Sequence, residues 1–254
     1  MAKQPIEKTI IDLVPGAPRP QGKEVLTGAI TEAPDILAPA KRFVASGRPA
    51  VPRLCVLDDS SDADGEWFWV RERIFSIGRM EGMVRIGHDP DISAKHARIE
   101  RIVDDGEESW KLVDESSTNG TFVRISQIEL GNDNELRMGS SFYRWSQSLV
   151  DGKLVGYLQI LDGSERGWTF DQATTFILGR SKQSRCHLGE DPCLDGSHAS
   201  LSFAHNDRWV IRDLDSLNGI WLRVQEWRLV NGSEFMLGGQ RLVFQVASKE
   251  KSQQ

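Results

Sequence analysis

Ile77-Gly78-Arg79, Ser93-Ala94-Lys95-His96-Ala97, Trp110, Asp114-Glu115-Ser116-Ser117-Thr118-Asn119-Gly120-Thr121 and Leu136-Arg137-Met138-Gly139 return further along the chain. There they read Leu178-Gly179-Arg180, Asp195-Gly196-Ser197-His198-Ala199, Trp209, Asp213-Leu214-Asp215-Ser216-Leu217-Asn218-Gly219-Ile220 and Phe235-Met236-Leu237-Gly238. A near-constant offset over this many positions marks a duplicated unit. Ala97-Arg98-Ile99-Glu100-Arg101-Ile102 alternates apolar with charged residues, as a strand with one buried face does. Trp110-Lys111-Leu112 alternates too, as do Ala199 to Phe203 and Trp209 to Arg212. Turn residues such as Asp104-Asp105-Gly106 and Gly131-Asn132-Asp133-Asn134 cut the runs short. No stretch keeps a 3.6-residue period for three turns. The pattern predicts an all-β fold of two tandem antiparallel β-sandwiches.

The boundaries follow from composition. Residues 1–50 hold Pro5, Pro15, Pro18, Pro20, Pro34, Pro39 and Pro49 but one aromatic, Phe43. Such a segment buries too little apolar surface to offset its ordering entropy, so a disordered N-terminal tail is expected. The first domain is expected over 51–148 and the second over 151–247, with a short linker near Gln147 to Lys153. The 254 residues suffice for two domains of ordinary size. A net charge of −6 argues against a nucleic-acid binder, which needs a basic footprint. No apolar run is long enough to span a bilayer. Met1 to Asp12 lacks the apolar core of a secretion signal, and three cysteines (Cys55, Cys186, Cys193) are sparse and odd in number. Together these predict a cytoplasmic protein with reduced thiols.

Gly78-Arg79, then Ser93 and His96, then Asp114 to Thr121 at these spacings resemble the forkhead-associated (FHA) domain. The likeness covers about residues 51–247 as two copies and is strongest in the first. It implies a β-sandwich whose loops at one end bind phosphothreonine peptides. Phosphothreonine carries nearly two negative charges and three acceptor oxygens, and a reader needs a guanidinium, hydroxyl donors and a clamp for the peptide backbone. The resemblance gives Arg79 and Ser93 the phosphate, and Thr118 and Asn119 the peptide main chain. His96 is read as architectural, tying down a neighbouring loop, and Gly78 and Gly120 as backbone-geometry positions. Family members often have a basic or amide residue where this chain has Ala94, and an arginine where it has Asp91. A weakened site that disfavours acid at the third residue after phosphothreonine follows.

The second copy keeps Arg180 and Asn218 but puts Asp195 in place of Ser93 and Leu217 in place of Thr118. A carboxylate near a dianionic phosphate costs about 2 to 6 kcal/mol. Asp195 is also placed to pair with Arg180, so this copy reads as degenerate, with Ser197 as a candidate substitute for the lost serine. The expected partners are a threonine-phosphorylated protein or the chain's own tail, modified at Thr9 or Thr27 by a Ser/Thr kinase. Nucleic acid, membrane and cofactor are not expected. Ser93 and His96 lack a third partner and an oxyanion hole, so catalysis is not expected either. Cys186, His187, Cys193 and His198 match no common zinc spacing, so no metal is assigned. The alternative function is a scaffold that binds its partner without phosphate.

Overall fold

The computed structural model describes residues 51–59, 61–204 and 207–246, so the tail with Thr9 and Thr27 lies outside the described residues. The first repeat forms β1 (Arg53–Leu57), β2 (Gly65–Trp69), β3 (Ile74–Gly78), β4 (Val84–Arg85), β5 (Ala97–Asp104), β6 (Glu107–Asp114), β7 (Thr121–Ile125), β8 (Gln127–Leu130), β9 (Glu135–Met138) and β10 (Ser141–Val150). The second forms β11 (Lys153–Ile160), β12 (Gly167–Phe170), β13 (Phe176–Gly179), β14 (Cys186–His187), β15 (Ala199–Ala204), β16 (Arg208–Asp213), β17 (Ile220–Val224), β18 (Glu226–Leu229), β19 (Ser233–Leu237) and β20 (Gln240–Gln245). The fold is all-β, as the alternation predicts, and two sandwiches are present.

The strands do not pair repeat by repeat. A ten-stranded sheet runs β12-β11-β10-β9-β17-β7-β19-β20-β1-β2, backed by sheets β14-β13-β15-β16-β8 and β18-β6-β5-β3-β4. Sandwich A therefore consists of β1 to β7 completed by β18 to β20, and sandwich B of β11 to β17 completed by β8 to β10. Each repeat lends its last three strands to the other. The seam is the antiparallel pair β7 and β17, centred on Val123 opposite Leu222.

Two local features set this exchange. The first is the segment read as a linker, 147–153. It is the tip of a hairpin in which β10 turns back at Asp151-Gly152, with Val150 opposite Lys153. Both turn residues have positive φ, 50° and 75°, which suits an Asp-Gly two-residue turn. The strand that ends the first repeat is thereby held against the strand that opens the second. The other feature is a one-residue crossover, Ser126 after β7 and Gln225 after β17. Each crossover carbonyl accepts a backbone N–H from the opposite repeat: Asp213 to Ser126 and Asp114 to Gln225, both 2.8 Å.

Side-chain volume favours the same arrangement. Trp145 pairs with Leu158 in register and lies over Gly156, where any Cβ would collide with the indole ring. In sandwich A, Phe244 stands opposite Leu54, and the position matching Gly156 is Pro52. Trp145 would clash with that proline, whereas the smaller Phe244 fits. Forcing larger side chains into a packed core costs about 1 to 3 kcal/mol each. Trp145 instead packs on Phe170 and Trp209, with ring centroids at 5.9 and 5.5 Å, and Phe244 packs on Trp110 at 5.9 Å. Both cores mix residues from the two repeats.

Candidate functional site

The loops after β3, before β5 and between β6 and β7 meet at one end of sandwich A, and Asp114 starts the scaffold that shapes them. Asp114 accepts the Ser117 N–H at 2.9 Å, the Ser117 hydroxyl at 2.6 Å and the Thr121 hydroxyl at 2.6 Å. The Ser117 hydroxyl oxygen accepts the Gly120 N–H at 3.0 Å. Ser116 and Gly120 have positive φ, 57° and 86°. Gly120 also packs so closely on Arg223 of β17 that a Cβ would collide with it.

His96 joins this loop to the one before β5. It is fully buried. Its Nδ1 accepts the Ser93 N–H at 3.0 Å, so Nε2 carries the hydrogen and donates to the Gly120 carbonyl at 3.2 Å. Burial lowers its pKa, against the opposing pull of the Gly120 hydrogen bond and of Asp114 and Asp89. Gly78 is needed for a different reason. A Cβ there would strike the Ala94 carbonyl and lie 2.7 Å from that of Glu81, both rigid backbone.

On this frame the four expected binding residues come together. The Arg79 N–H donates to the Ser93 carbonyl at 2.9 Å. The Ser93 hydroxyl oxygen accepts the Thr118 N–H at 3.0 Å and lies 3.5 Å from the Thr118 hydroxyl. Asn119 is placed differently from a free peptide clamp, because its Nδ2 donates to the Asp91 carbonyl at 2.9 Å and so braces the neighbouring loop. Lys95 is held by Glu115 at 2.7 Å, and Arg98 pairs with the same carboxylate. Lys95 and Arg98 together hold the Glu115 carboxyl below the usual range. Arg79 has no such partner among the described residues, and its Nε is buried without a hydrogen bond.

The corresponding end of sandwich B is built alike and filled differently. His198 accepts the Asp195 N–H at 3.2 Å and lies 3.0 Å from the Gly219 carbonyl. Asn218 donates to the Cys193 carbonyl at 2.9 Å. The expected Asp195–Arg180 pair is not formed. Asp195 instead accepts the Leu217 N–H at 2.7 Å, and Arg180 Nε donates to the Leu194 carbonyl at 3.1 Å. A carboxylate here copies the loop-bracing bond that Ser93 makes to the Thr118 N–H. Ser197 is exposed in the same loop. Burial pushes the Cys186 thiol up to about 12, far from a ready metal ligand. Among the described residues no group of three His, Cys, Asp or Glu is placed to hold a metal, and no helix is long and apolar enough to cross a membrane.

The FHA domain family matches residues 75–142 and 176–238, together just over half of the chain. The chain belongs to the FHA domain family. Solved structures similar to this FHA chain include full-length yeast Pml1p, at 10% identity over 78% of this chain and 83% of that one, with a TM-score of 0.34. The yeast Dun1 FHA domain, solved with a doubly phosphorylated peptide from Rad53, aligns at 12% identity over 85% and 92%, TM-score 0.27. The FHA-1 domain of Rv1747 from Mycobacterium tuberculosis aligns at 21% identity over 45% and 96%, TM-score 0.21. No curated protein matches this FHA chain.

Strand exchange also brings in residues that sequence reading along one repeat misses. Asp89, in the loop before β5, accepts the Gly239 N–H at 2.7 Å, so the β19–β20 turn of the second repeat buttresses the first repeat's FHA loops. Asp191 does the reciprocal job, accepting the Ser140 N–H at 2.7 Å and its hydroxyl at 2.9 Å. The only sequence signal for this was the Asp151-Gly152 turn.

Proposed function

We propose that the loop end of sandwich A binds phosphothreonine in a protein partner, making this chain an interaction module in Ser/Thr kinase signalling rather than an enzyme. The observation that carries this is Arg79. Its side chain is half-buried and lacks a carboxylate partner among the described residues, and its backbone N–H is fixed to the Ser93 carbonyl at 2.9 Å. Buried polar atoms are nearly always paired, and a phosphate dianion supplies the acceptor this guanidinium lacks. Sandwich B takes a different role, since Asp195 opposes an anion and Leu217 is 82% exposed at its loop tip. That favours phosphate-independent contact there. The test is calorimetry on the full chain with matched peptides carrying phosphothreonine or threonine. Binding that appears only with phosphate supports the proposal, and equal binding of both peptides would sink it.

The tail is a candidate ligand in cis. If Thr9 or Thr27 is a kinase substrate, its tether gives an effective concentration of order millimolar at the site. Intact mass after kinase treatment should show added phosphate on residues 1–50. An unmodified tail would end this part of the proposal.

A further inference from the structure

Beside Thr118 and Asn119 the seam between the sandwiches opens into a groove of about 470 Å³. Asp91 lies at its edge, Phe122, Phe142 and Leu161 form apolar walls, and Arg137 and Arg223 supply positive charge. Arg223 is spent, since it pairs with Glu135 at 2.7 Å, and Glu135 also takes Arg144 at 2.7 Å. Burial pushes the Glu135 carboxyl up, but these two guanidiniums outweigh it and hold it below the usual range. Arg137 is not spent. It is half-buried, and among the described residues its contacts are the Gly139 carbonyl at 3.4 Å, the Met236 sulfur at 2.9 Å and the Phe142 ring at 5.5 Å. No carboxylate lies within 4 Å of it among the described residues; burial lowers its pKa, opposed in part by the more distant Cys193 and Asp191. A half-buried guanidinium with only weak acceptors is set to receive an anion.

We propose that Arg137 binds an acidic side chain, Asp or Glu, that flanks the phosphothreonine of the partner peptide. The inference rests on the phosphothreonine reading above. The carboxylate would take the bidentate face of Arg137, and its aliphatic stem would lie against Phe142, whose ring already packs on Phe122 at 5.6 Å. Asp91 and Arg137 line the same groove, so acid is rejected at one flanking position and chosen at another. The second repeat is a structural part of this specificity, because Gly238, Gly239 and Arg223 form one side of the groove.

The test is a phosphothreonine peptide array in which each flanking position is varied through Glu, Ala and Lys, read on the full chain and on Arg137→Met and Arg137→Glu. Wild type should prefer Glu to Lys at one position by about tenfold, the scale of one well-made charge pair. Arg137→Met should flatten that preference, and Arg137→Glu should reverse it. Should these variants not fold, Arg137→Lys decides, with weakened selection supporting the proposal and unaltered selection overturning it. Phosphate-dependent binding without acid selection, or selection untouched by Arg137→Glu, would overturn this inference alone. Loss of all phosphate dependence in wild type would overturn the phosphothreonine reading together with it.

Discussion

Cutting the chain at residue 150 should leave neither half folded. Residues 1–150 lack β18 to β20, and with them Leu229, Phe235, Leu237, Leu242 and Phe244, all at most 4% exposed in the intact protein. Each such side chain contributes roughly 1.5 to 3 kcal/mol on burial, so about 8 to 15 kcal/mol is removed. That matches the whole stability of an ordinary domain. The half chain has its own β8 to β10, but these are poor substitutes. Trp145 would have to occupy the place of Phe244 above Pro52 instead of Gly156, and Tyr143 the place of Leu242. Circular dichroism and urea titration of 1–150 and 151–254 should show no cooperative transition for either alone, and a folded complex when the two are co-expressed. A cooperative, monomeric 1–150 would mean that the repeats close on themselves.

His96→Ala should be the most damaging single substitution near the site. It orphans the Ser93 N–H and the Gly120 carbonyl, each costing about 1 to 3 kcal/mol when buried, and leaves a cavity besides. A loss of about 3 kcal/mol in urea denaturation is expected, and less than about 1 would show that the loops do not depend on this link. Wild type carries the matching pH signature. The folded pKa of His96 lies below the unfolded value near 6.5, so just below that pH the unfolded chain binds the extra proton. The contribution of neutral His96 is complete above about pH 6.5 and declines as pH falls toward the folded pKa. The urea midpoint should therefore drop between about pH 6.5 and 5.5, and this drop should shrink in His96→Gln.

The strands, the turns and the family were legible because each is written locally. Period-2 runs mark β5, β6, β15 and β16, and Gly78-Arg79, Ser93, His96 and Thr118-Asn119-Gly120 sit at family spacing. Pairing partners were not legible, since β8 and β18 carry equivalent patterns and each sheet would accept either by alternation alone. What separates them is volume: Trp145 over Gly156, Phe244 near Pro52. Arg137 was missed for a related reason. Read along one repeat it is an ordinary strand residue, and only the exchanged sheet places it in a groove with Phe122 and Arg223. The Asp195–Arg180 pairing failed because the nearby Leu217 N–H competes for the carboxylate.

On the proposed reading, sandwich A reads the phosphate through Arg79 and sandwich B does not. The decisive measurement is the dissociation constant of one phosphothreonine peptide for the full chain, Arg79→Ala and Arg180→Ala, with melting curves to confirm folding. Arg79→Ala should cost at least about 2 kcal/mol, roughly thirtyfold in affinity, and Arg180→Ala should change it by no more than about threefold. Wild-type affinity in Arg79→Ala, or a thirtyfold loss in Arg180→Ala, would contradict the claim.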